Sequence, residues 1–152
     1  MYLEESFVVN APRERVWRLI RDPVAMLPCV PGCSAIEKVD EALYKAVIEA
    51  AVGPIKARFS IEVEITSQTA PEEVLSISRG EEGTRASIIQ SQNTLRLSEQ
   101  EPGVTQVYYA SDVSITGRLG RFGLGMMKKI ATRKAQAFEE AFRQRAEALE
   151  TP

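Results

Sequence analysis

The sequence contains no histidine. Unperturbed histidine is the side chain that changes charge near neutrality, so its absence excludes Ser-His and Cys-His nucleophilic pairs and imidazole metal ligands. Cysteine is scarce as well: Cys29 and Cys33 are the only two, and they bracket Val30-Pro31-Gly32. Two thiols without further ligands fall short of a four-coordinate zinc site, and a disulfide is uncommon in a cytosolic protein. No metal and no cofactor is therefore expected, and the two thiols read as small residues at a pocket rim. Long apolar runs are missing too, and none approaches the roughly 20 residues that cross a bilayer. Glu4 and Glu5 stand where a secretory signal would carry its basic segment. A cytoplasmic protein is expected from these two absences.

What is present suits one soluble domain spanning 1–152. A chain of 152 residues with 44% hydrophobic and 26% charged side chains buries roughly 70% of the surface its unfolded form exposes, so no staple is needed. The net charge of −2 conceals an uneven distribution. Arg118, Arg121, Lys128, Lys129, Arg133 and Lys134 fall in one stretch without an acid, which leaves the rest of the chain at −8. That stretch reads either as a solvated helix face or as a surface for an acidic partner or an anionic membrane. Nucleic acid is not an expected partner, because these bases lack interleaved aromatics and the pI is 5.4.

Periodicity supplies the elements. Tyr2 to Val9 reads as a strand. Asn10-Ala11-Pro12 opens a short helix with Val16, Trp17, Leu19 and Ile20 on its apolar face, and Asp22-Pro23 starts a second helix that Pro28, Pro31 and Gly32 stop. From Ser34 the period becomes two, predicting strands near Ser34–Val39, Leu43–Val52, Ile55–Ser67, Glu72–Gly80, Arg85–Ser98 and Thr105–Thr116. The third of these alternates most clearly: Ile55, Ala57, Phe59, Ile61, Val63 and Ile65 share one face, and Lys56, Arg58, Ser60, Glu62 and Glu64 the other. Such a sheet is covered on one side only. Apolar residues at three- and four-residue steps from Leu119 to Leu149 then predict a last helix of some 30 residues, on the order of 45 Å. The expected fold is α+β: a seven-stranded curved antiparallel sheet wrapped around a long C-terminal helix, with two short helices after strand 1.

Three motifs add a resemblance. They are Asp22-Pro23-x-x-x-Leu27-x-x-x-Pro31-Gly32, the turn Val52-Gly53-Pro54-Ile55-Lys56 followed by Phe59, and Gly117-Arg118-Leu119-Gly120-Arg121-Phe122-Gly123. With this element order, the chain resembles the carbon monoxide dehydrogenase G-subunit (CoxG) family, within the START/polyketide-cyclase-like (SRPBCC) superfamily of helix-grip, Bet v 1-like folds. The resemblance runs from about Leu3 to Leu149. It implies an accessory role beside a CO-dehydrogenase-like molybdenum hydroxylase, and it brings no catalytic residues with it. Family members often continue into a membrane-attaching tail, whereas this sequence ends at Thr151-Pro152. Peripheral contact with the inner face of the cell membrane is the expectation that remains.

A helix-grip interior is either filled or hollow. The interior is expected to draw Phe59, Ile61, Ile77, Ile89, Leu95, Val107, Tyr109, Val113 and Ile115 from strands, and Phe122, Met126, Met127, Ile130 and Phe138 from the helix. Strand parity then turns Ser91, Asn93 and Ser111 inward as well, and such groups need water, one another or a ligand head group. An apolar cavity with a few polar groups suits a lipid- or quinone-like molecule. Gly120, Gly123 and Gly125 beside Met126 and Met127 predict a weak helix start that, with Leu27–Pro31, forms a gate or simply packs closely. Leu119, Phe122 and Leu124, next to Arg118, Arg121, Lys128, Lys129 and Arg133, suit an anionic membrane surface. The candidate ligand-binding residues are thus Leu27, Phe59, Ile61, Ile77, Ile89, Ser91, Asn93, Tyr109, Ser111, Val113, Phe122, Met126, Met127 and Ile130. A ligand-free assembly factor acting through the basic helix is the alternative. A cyclase or hydrolase would need an inward group of shifted pKa; alternation puts Glu49 and Asp112 on the wet face, which leaves Tyr109 and Tyr44.

Overall fold

Alternation along the chain becomes a seven-stranded antiparallel sheet in the computed structural model, which describes residues 1–83 and 86–148. Strand β1 (Tyr2–Val9) precedes helices α1 (Arg13–Ile20) and α2 (Pro23–Met26) and a 3-10 turn at Leu27–Cys29. Strands β2 (Cys33–Lys38), β3 (Leu43–Val52), β4 (Ile55–Thr69), β5 (Glu73–Glu82), β6 (Ser87–Glu101) and β7 (Val104–Gly117) follow. A second 3-10 segment at Arg118–Phe122 leads into α3 (Leu124–Glu147). The sheet order is β1-β7-β6-β5-β4-β3-β2, so β1 and β2 are its edges.

Local chemistry accounts for the breaks. The Asp22 carboxylate accepts the Val24 N–H at 2.9 Å and caps α2. Gly117 has φ of +88° and lies so close to the β6 backbone that a Cβ would collide with the Ala86 carbonyl. Gly123, at φ +82°, separates the 3-10 segment from α3. The last helix is therefore 24 residues long, about 36 Å rather than the expected 45 Å. Leu149 of the expected apolar stripe, and Arg85 at the expected start of β6, lie outside the described residues.

The helix is held at both ends. Near its C-terminus Phe142 and Ala146 pack with Phe7, Val9, Val16, Trp17, Leu97 and Val107. Phe142 meets Phe7 edge-on at 6.3 Å and stacks on Phe138 at 5.6 Å. The Arg15 guanidinium donates to the Ala146 and Ala148 carbonyls, placing a cation on the negative end of the helix. Near its N-terminus Met127 packs with Val52, Ala57, Phe59 and Leu119, flanked by Ile61, Ile89, Ile115, Phe122 and Ile130.

Candidate functional site

Between those two filled clusters the inward side chains shrink. The middle turns of α3 present Ala131, Thr132 and Ala135 to the interior, and the facing strands present Ala46, Ser76, Asn93 and Ser111. The space left is a two-lobed cavity of about 390 and 400 Å³, partly open to solvent. One lobe lies over β3 to β7, under Ile20, Pro23, Met26 and Val30. The other runs beneath α3 to the edge strand β1, where Leu3, Glu5 and Phe7 line it. Ile20, Met26, Val30, Ile48, Leu95, Tyr109 and Ser111 are walls of both.

The lining is mainly apolar; its polar members include Arg21 in the first lobe, Glu5 and Lys134 in the second, and a row of hydrogen-bonded groups on the sheet. Asn93 Nδ2 donates to Ser78 Oγ at 2.9 Å and to Ser76 Oγ at 3.3 Å. Asn93 Oδ1 accepts from Ser111 Oγ at 2.8 Å, and Ser78 and Ser91 share a 2.6 Å hydrogen bond. Ser91, Asn93 and Ser111 thus face inward, as parity requires, and they satisfy one another first. Capacity remains, because Ser76 keeps its own proton and Ser111 a lone pair for a further partner.

Tyr109 is the second polar feature. It stands opposite Glu5 across the β1–β7 pairing, and its hydroxyl donates to Glu139 Oε1 of α3 at 3.4 Å. Burial, followed by the charges of Glu139 and Glu5, pushes its phenol well above the ordinary range. Tyr109 is therefore a neutral hydrogen-bond donor rather than a base. Burial and then Glu5 also raise the Glu139 carboxyl. Tyr44, the other tyrosine considered for catalysis, gives its hydroxyl proton to the Arg21 carbonyl at 3.2 Å.

Of the fourteen candidate ligand-binding residues, Ile61, Asn93, Tyr109 and Ser111 line the cavity, whereas Ser91 is bonded to Ser78 and lines neither lobe. Phe59 and Ile89 of the sheet, Phe122 of the 3-10 segment and Met127 and Ile130 of α3 lie in the filled N-terminal cluster. Val113 shares the inward parity and exchanges main-chain hydrogen bonds with Met1. Met126 is 37% exposed, near the β3–β4 turn at Gly53. Leu27 is half-buried and lines neither lobe. Ile77 requires correction: it is 43% exposed and lines a groove on the outer face with Glu62, Glu64, Arg79 and Gln90. Its partners across the strands, Glu64 and Gln92, are outward residues, so the register assigns it to the wet side.

Arg118 also differs from expectation as a member of the basic surface. Its guanidinium is held in two hydrogen bonds by the buried Glu82 carboxylate. That contact pins the 3-10 segment to β5 and holds the Glu82 carboxyl below its usual range. Arg121, Lys128, Lys129 and Arg133 are exposed. The expected gate shifts too, because Val30 and Pro31 face Ala131, Thr132 and Ala135 in mid-helix rather than the start of α3. Cys29 and Cys33 are both free, Cys33 lines the first lobe, and burial raises both thiols.

The family model that describes the G-subunit of carbon monoxide dehydrogenase (CoxG) matches residues 6–147. The chain belongs to the CoxG family. No curated protein sequence matches it. Among solved structures this CoxG-family chain is similar to a conserved protein from Geobacillus kaustophilus, at 21% identity over 95% of this chain and 93% of that one, with a TM-score of 0.86. A START superfamily protein from Mycobacterium smegmatis matches at 14% identity over 96% and 97%, with a TM-score of 0.75. The Zhui aromatase/cyclase from Streptomyces sp. R1128 matches at 15% identity over 97% and 93%, with a TM-score of 0.72. The fold of this CoxG-family chain is accordingly START-like. No helix among the described residues is long and apolar enough to cross a membrane.

Proposed function

We propose that this protein is a non-catalytic carrier for an apolar, lipid- or quinone-like small molecule, accessory to a CO-dehydrogenase-type molybdenum hydroxylase. The observation that carries the reading is the hollow between two filled clusters, with mainly apolar walls and a polar row on the sheet. A molecule with an oily body and one hydrogen-bonding end fits that lining: Ser76 offers a proton and Ser111 a lone pair at the sheet, and hydrocarbon occupies the rest. Membership of the CoxG family supports the accessory role and the choice of partner. Native mass spectrometry of protein purified without detergent, followed by organic extraction, tests it. Stoichiometric release of a neutral apolar compound is expected; a protein that is empty and also takes up no such compound when offered one removes the carrier.

A second reading rests on the surface of α3. Leu124 is 68% exposed and Met126 37%, and both adjoin exposed Lys128 and Lys129. Apolar tips beside bases suit peripheral contact with an anionic membrane, where each base contributes about 1 kcal/mol. The same bases suit an assembly factor that grips an acidic partner without a ligand. Reversing Lys128, Lys129 and Arg133 to glutamate discriminates: lost vesicle binding with retained capture of the hydroxylase supports the membrane role, and the opposite pattern supports the assembly role.

A further inference from the structure

The hydrogen-bonding groups of the cavity are divided unequally between its two lobes. Ser76 and Asn93 line the first lobe only, and Ser111 stands on a wall that both share. Ser76 and Ser111 keep spare capacity after their bonds to Asn93. The second lobe is walled by Leu3, Phe7, Ala131, Ala135 and Phe138, and its Thr132 hydroxyl already donates to the Lys128 carbonyl at 2.9 Å. Glu5, on the edge strand, and Lys134 complete that lobe; both are half-buried, which leaves their charges within reach of water.

We infer that the cavity selects a long single-chain amphiphile, whose polar end lies on the sheet row in the first lobe and whose chain threads the second lobe beneath α3. The inference rests on the carrier reading above and gives the shape and orientation of the ligand in that same cavity.

Continuity between the lobes permits the threading. Met26, Val30, Leu95 and Tyr109 are among the walls common to both, so a chain that leaves Ser111 enters the second lobe without crossing either filled cluster. The lobes hold about 390 and 400 Å³, and a compact molecule seated in the first leaves the second to water against Leu3, Ala131 and Phe138. A chain that continues displaces that water, and each buried methylene contributes about 3–4-fold in affinity. The reverse orientation lays hydrocarbon on Ser76, Asn93 and Ser111 and leaves their spare capacity unmet. A long chain with its polar end in the first lobe satisfies both lobes at once.

The test is equilibrium dialysis with radiolabelled octan-1-ol, decan-1-ol, dodecan-1-ol and tetradecan-1-ol, which differ only in length. In the wild type, affinity is expected to rise ~3-fold per added methylene across the series. Ala131 lines the second lobe and not the first, so Ala131→Phe narrows that lobe alone. Octan-1-ol should then stay within about 2-fold of wild type while the rise with length stops early. Ala131→Leu fills less, should stop the rise later, and guards against misfolding of the larger variant. Ser76→Ala should weaken every alcohol alike, by ~3–10-fold, and leave the dependence on length intact. A rise that both Ala131 variants preserve, or a wild-type affinity that levels off where Ala131→Phe does, overturns the threading. Equal affinities of wild type and Ser76→Ala overturn the placement of the polar end. If the wild type binds none of the alcohols and takes up no N-phenyl-1-naphthylamine, a neutral fluorescent probe, the carrier reading falls and the threading with it.

Discussion

At the scale of residues, Asn93 is the busiest polar group in the interior, contacting Ser76, Ser78 and Ser111. Replacing it with leucine takes that partner from Ser76 and Ser111, while Ser78 keeps Ser91. Asn93→Leu should lose about 1–3 kcal/mol in urea unfolding, whereas Ser98→Ala on the exposed end of β6 should change little. Glu82 and Glu139 give a contrasting pair in pH. Glu82 has a lowered folded pKa, so its contribution is present above the ordinary carboxylate range and is lost as pH falls through the folded value. Glu139 has a raised folded pKa, so its contribution is present in acid and is lost as pH rises through the folded value. Glu139→Gln should therefore raise Tm at pH 7.5 and cease to do so near pH 4. Because the carboxylate is partly solvated, the gain should stay below about 1 kcal/mol, or about 2–4 °C. Glu82→Gln should lower Tm at pH 7.5 and flatten its acid-side decline. Thermal melts across pH 4 to 8 check both signs at once.

At the scale of elements, two of the three sequence motifs turn out to be places where backbones approach closely. Gly32 sits at φ +75° against β3, where a Cβ would collide with the Glu49 carbonyl, and Gly117 meets Ala86 in the same way. Gly117→Ala should consequently cost more than the ~1 kcal/mol of an ordinary glycine replacement. It should also loosen the 3-10 segment, seen as faster hydrogen exchange at Leu119 and Arg118. Most of this layer was legible in sequence, because β4 carries a clean alternation and α3 a clean helical stripe. Strand β5 was not. Leu75 and Ile77 have one parity and Val74, Ser76 and Ser78 the other, and the serines, not the isoleucine, face in. Local hydrophobicity points the wrong way there, and only the pairing of Ile77 with Glu64 and Gln92 decides the face. The hydrogen bond from Tyr109 to Glu139 was equally hidden, since it exists only once α3 lies across the sheet. Ala131 and Ala135 did carry a readable signal: two small residues one turn apart, between Met127 and Phe138 on the inward stripe, leave room under mid-helix.

At the scale of the whole molecule, stability and space are separated along one helix. Phe142 at one end is 1% exposed and Met127 at the other 8%, each inside a filled cluster, and the middle bears alanines over serines and an asparagine. Removing an anchor should damage the fold: Phe142→Ala should cost about 3–5 kcal/mol. Adding bulk should have opposite signs in the two zones. Ala57 is fully buried in the N-terminal cluster, and Ala57→Leu forces extra atoms into packed surroundings at a cost of about 1–3 kcal/mol. Ala135→Phe instead directs a ring into an existing hollow of about 400 Å³. Burying that ring without displacing a neighbour should leave stability unchanged or raise it by about 0.5–2 kcal/mol. The same ring occupies the volume a ligand would use, so Ala135→Phe should stay folded and lose uptake of N-phenyl-1-naphthylamine. A collapsed interior predicts the reverse: both substitutions would destabilise, and probe uptake would be absent from the wild type already. Unfolding curves and probe titrations on three proteins therefore separate a hollow grip from a filled one, because only a hollow grip gives the two substitutions different signs.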